Sequence, residues 1–208
     1  MKRIQINGDI IPNSAKEAYE FFQLDGFCPK DLELPEEDLE IFINSCGGSV
    51  FSASEIYTKL LNHKHKITVI IESLAASSAS LIAMAGDEVK ISPTAQIMIH
   101  NASGEFYGNK KEMEKAREVL DNTDKTIANA YVRKTGLTKE DILELMDLET
   151  WLSPQDALDY GFVDEILESS HQELVAGEFK YKEIENNYKK EMEKERLEVL
   201  KLNEIKTI

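Results

Sequence analysis

Apolar positions change their spacing several times along the chain, and each change marks an element. Ile4 to Ile11 alternates well enough for a first strand, and Pro12-Asn13-Ser14 stops it. Ser14 is a candidate cap for a short helix carrying Ala18, Tyr19 and Phe22. Residues 23–38 read as an irregular, acidic connection. Leu39 to Asn44 is a short apolar run expected to be a buried strand, and Ser45-Cys46-Gly47-Gly48-Ser49 a turn. Ser52 to His63 predicts a helix with Ile56, Leu60 and Leu61 on one face. Ile67 to Ile71 is β-branched and predicts a second buried strand. Ala75 to Ala85 is small and apolar, with Gly86 as its stop. Val89–Ile91 and Gln96–Ile99 are two more strand candidates.

The next element is long. From Lys110 to Thr135 there is no Pro or Gly, and Met113, Ala116, Leu120, Thr123, Ile127 and Ala130 recur at spacings of three and four. That is the stripe of an amphipathic helix, closed by Gly136. Thr138 opens another helix with Glu140 and Asp141 in its first turn. Ser153-Pro154-Gln155-Asp156 is a capping pattern for a last short helix ending at Gly161. Strands alternating with helices predict an α/β domain on a mostly parallel sheet, over residues 1–168. Residues 169–208 change character. The sparse apolar set and balanced charges of 178–208 predict a solvent-exposed helical extension.

The formal net charge is −15, and equal numbers of acids and bases in 178–208 place the whole excess in residues 1–177. An acidic body argues against nucleic acid or an anionic membrane as the main partner. No apolar run reaches the roughly 20 residues of a membrane span, and the first residues turn polar too early for a signal peptide, so a cytoplasmic protein is expected. Cys28 and Cys46 make no disulfide framework and no zinc pattern, so no metal is expected.

Four features carry chemistry. Gly47-Gly48 follows a strand and precedes a helix, where paired glycines let the backbone turn and present N–H groups. Ala75-Ala76-Ser77-Ser78-Ala79-Ser80 puts a serine among small residues at a strand-to-helix junction, where free N–H groups favour a developing oxyanion. Such a serine also serves simply as a helix cap. His100 ends an apolar strand and so sits where an imidazole can take a proton from a serine. Asp147-Leu148-Glu149-Thr150-Trp151 offers carboxylates that could orient the ring. Spacing alone stops at an α/β protein with a serine, histidine and carboxylate set.

At these residues the chain resembles the Clp protease proteolytic subunit and its phage relatives. The matching stretches are INSCGGSV at 43–50, LAASSAS at 74–80, MIHN at 98–101, YVRKTGL at 131–137 and ETWLSPQDALDYGFVDEI at 149–166. The IQINGDI start, AASSAS, MIHN and ETW look most like the head maturation proteases of tailed phages and prophages, which process capsid and scaffold proteins. The resemblance implies a crotonase-like fold, a spiral of ββα units, with helix 110–135 as a handle between subunits of a ring-shaped homo-oligomer. It implies a serine endopeptidase acting on polypeptides without a cofactor. Residue by residue, Ser77 matches the nucleophile, His100 the general base, and Gly48 and Ser78 the oxyanion-hole N–H donors. Gly47 and Gly48 match the strip that holds a substrate peptide. Glu149 stands where the family has its third triad member, usually Asp, and Asp147 is the second choice. Cys46 stands where the family usually has Pro. The family's N-terminal pore segment precedes its first strand, whereas this sequence begins almost at that strand, so a Clp ATPase is a doubtful partner on this reading. Two alternatives stay open: a coenzyme A thioester enzyme of the same fold, and a catalytically inactive assembly protein.

Overall fold

The structure is a computed structural model that describes residues 1–168; the charged extension at 169–208 lies outside the described residues. In chain order the elements are β1 (Lys2–Ile10), α1 (Lys16–Phe22), β2 (Gly26–Phe27), β3 (Leu39–Gly48), α2 (Val50–Leu61), β4 (Ile67–Ala76), α3 (Ser78–Ala83), β5 (Glu88–Ile91), β6 (Gln96–Ile99), α4 (Lys110–Thr135), α5 (Lys139–Asp147), β7 (Thr150–Leu152), α6 (Pro154–Asp159) and β8 (Glu165–Ile166).

β1, β3 and β4 are the centre of an eight-stranded sheet and run parallel, with Ile4 beside Ile41 and Ile41 beside Val69. Their buried side chains alternate: Ile4 and Ile6, then Leu39, Ile41 and Ile43, then Ile67, Val69 and Ile71. This is the period-two pattern of a sheet with one face committed to the core. β4 serves two neighbours in turn. Its first half pairs with β5 through Thr68–Ile71, and its second half pairs with β6 through Leu74–Ala76. The sheet therefore divides along β4, and the second branch carries β7, antiparallel to β6.

The α/β expectation and the mainly parallel sheet hold, but several boundaries move. β3 continues through the Gly47-Gly48 turn, pairing Gly47 with Asp9 and Gly48 with Ile10. Ala75 and Ala76, expected to open a helix, instead close β4 opposite Ile97 and Met98, so α3 begins only at Ser78. Helix propensity there yields to a sheet ladder that satisfies the same backbone groups. α2 starts at Val50 because the Ser49 hydroxyl accepts the Ser52 N–H. Ser14 gives no side-chain cap; residues Asn13–Ala15 form a 3-10 turn leading into α1. β2, β7 and β8 span only two or three residues, too short for any periodicity to show.

α4 runs for 26 residues, opened by a capping box between Asn109 and Glu112 and closed by Gly136 in the left-handed region. Its apolar stripe is not uniformly used. Ile127, Ala128, Ala130 and Tyr131 are buried, whereas Met113 and Val119 are exposed. Only the C-terminal part of α4 packs into the described core. Among the described residues no helix is long and apolar enough to cross a membrane.

Candidate active site

Three parallel strands end on the same side of the sheet, the place where α/β folds collect ligands. β3 ends in Gly47-Gly48, β4 in Ala76, and β6 in Ile99. Because Ala76 pairs with Met98, the next residue, Ser77, donates its N–H to the Met98 carbonyl at 2.8 Å. Two positions beyond Met98, His100 emerges, and its Nε2 lies 2.7 Å from Ser77 Oγ. The two residues that spacing could not connect are thus brought into hydrogen-bonding contact by strand register.

Ser77 has φ 52° and ψ −126°, a left-handed conformation rarely taken by a residue with a side chain. Such backbone costs on the order of 1–3 kcal/mol and persists only where the surroundings over-determine it. Here they do. The Ser77 N–H is held by Met98, and its carbonyl accepts both the Ser80 N–H at 3.0 Å and the Ser80 hydroxyl at 2.6 Å. The Ser77 hydroxyl makes no helix-capping bond; it faces the imidazole instead.

Gly47 is required by this joint. A Cβ there would lie 2.7 Å from the Ala76 carbonyl oxygen, 2.8 Å from Ser77 Cβ and 2.9 Å from the Ser78 nitrogen, with φ at +95° besides. The Gly47 N–H is anchored on the buried Ser45 hydroxyl at 3.0 Å. Gly48 passes equally close to Ile10, whose carbonyl also accepts the Ser49 N–H at 2.7 Å. Ser78 is the first residue of α3, so its N–H has no acceptor within the helix. The Ser78 Oγ is buried without a hydrogen-bond partner. α3 has only six residues, so its individual N–H groups, more than a long helix dipole, are what it offers an anion. Gly48, Ser77, Ser78, His100 and Tyr131 line a cavity of about 410 Å³.

The carboxylates are less tightly gathered. β7 pairs Thr150 with Ile99, so Glu149 and His100 are the residues that next follow the end of this ladder on its two strands. Glu149 has φ 48° and is exposed, and its N–H donates to the Met146 carbonyl at 3.1 Å. Among the described residues its carboxylate has no hydrogen-bond partner. Asp147 accepts a hydrogen bond from Asn101 Nδ2 at 2.6 Å, next in sequence to the histidine.

Sequence reasoning missed a third acid. Asp124, on α4, accepts the Ala102 N–H at 2.6 Å. Burial pushes its carboxyl above the usual range, against the pull of the Ala102 N–H, and Asp121 and Asp147 push it the same way. Its signal was present: Asp124 stands four and seven residues before the buried Ala128 and Tyr131, an acid within the inward face of α4. Ser80 and Tyr131 were missed for the opposite reason, since in sequence both look like ordinary core residues. Among the described residues there is no cluster of His, Cys, Asp and Glu able to hold a metal ion.

An α/β fold that seats a serine hydroxyl against an imidazole, beside a glycine turn and a helix's first N–H, defines a serine hydrolase. The Clp protease family model matches residues 13–170. The ATP-dependent Clp protease proteolytic subunit of Deinococcus radiodurans is 34% identical over 145 residues, covering 68% of this chain and 71% of that protein. The ATP-dependent Clp protease proteolytic subunit 1 of Leifsonia xyli is 33% identical over 144 residues, covering 68% and 72%. Among solved structures, a point mutant of ClpP1 from Listeria monocytogenes superimposes with a TM-score of 0.65 at 26% identity, covering 81% of this chain and 92% of that one. The chain belongs to the Clp protease family, with its ClpP-type fold and its serine-type peptidase activity.

Proposed function

We propose that this chain is the proteolytic subunit of a Clp-type endopeptidase, with Ser77 as nucleophile, His100 as general base and Glu149 as the carboxylate that orients the imidazole. The observation that carries the reading is the 2.7 Å contact between Ser77 Oγ and His100 Nε2. Ser77 attacks the peptide carbonyl while His100 takes its proton, then returns that proton to the leaving amine. The N–H groups of Gly48 and Ser78 hold the tetrahedral oxyanion, and water hydrolyses the acyl-enzyme with His100 again as base. Gly47 and Gly48 end an open strand on which an extended substrate backbone can lie. The β6–β7 register supports Glu149 over Asp147, which is already engaged by Asn101. The Glu149 carboxylate has no hydrogen-bond partner among the described residues, and in this reading it turns toward the ring.

The relatives named above are ATP-dependent subunits, which favours polypeptides delivered by an ATPase partner. The head-maturation reading, with capsid or scaffold proteins as substrates, draws no support from them. Assembly into a homo-oligomeric ring is part of the proposal. The exposed Met113 and Val119 on the outer part of α4 support it, because they are apolar positions of a long helix that the described core leaves uncovered.

A fluorophosphonate probe tests the reading. The expected result is one labelled serine per chain in the parent protein and none in Ser77→Ala. Equal labelling of both would remove Ser77 as nucleophile. Stimulation of unfolded-protein degradation by a Clp ATPase, with no processing of phage capsid precursors, is the expected outcome for partner and substrate.

A further inference from the structure

The Ser77 carbonyl and the Ser78 N–H belong to one planar peptide unit, so fixing the oxygen fixes where the hydrogen points. That oxygen is held from inside the protein. Ser80 Oγ lies 2.6 Å from it, and Tyr131 Oη lies 2.8 Å from Ser80 Oγ. Ser80 has one hydroxyl hydrogen, and a carbonyl can only accept; the Ser80 hydrogen therefore goes to Ser77, and the Tyr131 hydroxyl donates to Ser80. The result is a directed relay, from Tyr131 to Ser80 to the Ser77 carbonyl. Ser80 is 0% exposed and Tyr131 1% exposed, so no water competes with either bond. Tyr131 is also clamped by its ring against Phe162, with centroids 5.8 Å apart. The relay thus runs from a rigid part of α4 to the strained residue that bears the nucleophile.

We propose that Tyr131 and Ser80 are positioning residues that hold the Ser77–Ser78 peptide plane so that the Ser78 N–H faces the oxyanion. This deepens the functional reading above and rests on it. Ser80 is absent from the cavity lining, and the Tyr131 hydroxyl is engaged with Ser80, so the hydroxyl groups of the relay act through the peptide unit they hold. Their effect is transmitted by the orientation of one peptide unit, and it matters most when negative charge develops on the substrate oxygen. Deleting an oxyanion donor costs about 10²–10³ in kcat, so loosening one is expected to cost less, about 10- to 100-fold. KM is expected to stay within about threefold, because ground-state peptide binding makes little use of that N–H.

The test compares the full-length parent protein with Tyr131→Phe, Ser80→Ala and the double variant, on a fluorogenic peptide and with a peptide boronate, whose tetrahedral adduct places an oxygen where the oxyanion would be. The expected result is a loss in kcat with KM retained and a parallel loss in boronate affinity. The double variant should be no worse than the more damaged single variant, because both cut the same relay. Tyr131→Phe keeps the ring and its packing, so it tests the relay even if Ser80→Ala folds poorly. Unchanged kcat and boronate affinity in Tyr131→Phe would overturn the proposal, as would losses that are additive in the double variant. Full activity in Ser77→Ala would instead overturn the underlying reading, which separates the two failures.

Discussion

The Ser77 joint and the Glu149 corner, at the ends of strands that flank β6, are built to different standards. Ser77 sits half-buried in strained backbone against the core, with its N–H, its carbonyl and its hydroxyl all engaged. Glu149 also has a positive φ, yet it is exposed, and its backbone N–H bond to Met146 is its one described hydrogen bond. The serine and histidine are therefore preorganised by three parallel strands and a helix packed on them. The carboxylate hangs from a three-residue antiparallel strand. Catalytic geometry fixed by the core tolerates little change, whereas geometry fixed by an exposed corner has room to adjust.

Gly47→Ala is the largest expected disturbance short of removing the dyad itself. The new Cβ would press on the Ala76 carbonyl and the Ser78 nitrogen, both backbone atoms that cannot step aside. We expect about 100-fold or greater loss of kcat/KM, with destabilisation of about 1–3 kcal/mol in a denaturant titration. A near-normal variant would mean that the joint is softer than its contacts indicate.

Glu149→Gln should cost about 10- to 100-fold in kcat, well short of the roughly 10⁴ seen when a buried, fully engaged triad acid is neutralised. A loss as deep as that of Ser77→Ala would erase the contrast between the two regions. Asp147→Asn is expected to change kcat by less than about threefold, since an amide oxygen still accepts from Asn101. A reversed order of these two variants would move the orienting role to Asp147.

A last effect falls on stability at high pH and leaves the rate at neutral pH aside. Burial pushes the Tyr131 hydroxyl up to about 12, whereas in the unfolded chain it titrates near 10. Because the folded value is raised, the stabilisation is full below pH 10 and is lost as pH climbs from 10 towards 12. Tyr131→Phe should lack this component of alkaline destabilisation, about 2–3 kcal/mol across that window. Parallel stability profiles for the two proteins between pH 10 and 12 would contradict it.

Much of the framework was legible in the residue pattern. The long helix from Lys110 to Thr135 appears with the expected bounds because nothing in that stretch breaks it and both ends carry capping residues. The apolar runs at Leu39 and Ile67 are buried strands, although each extends beyond its apolar stretch where small residues continue the ladder. β7 was not legible, since three residues carry no period; yet its pairing of Thr150 with Ile99 is what brings the neighbours Glu149 and His100 to the same end of one ladder. Asp124, Ser80 and Tyr131 were hidden because hydrogen-bond partners 22 to 51 positions away leave no local trace.

Sequence alone determined the alternation of strands and helices, the glycine pair, and a short set of residues with the right chemistry, because propensity, periodicity and side-chain chemistry are local properties. Tertiary structure decided which of those residues meet. Parallel pairing of β4 with β6 carries Ser77 to His100, and α4 folding back over α3 ties the Ser77–Ser78 peptide plane to Tyr131. Both are matters of register and packing between segments distant in the chain, where one residue of slip would turn every side chain to the opposite face.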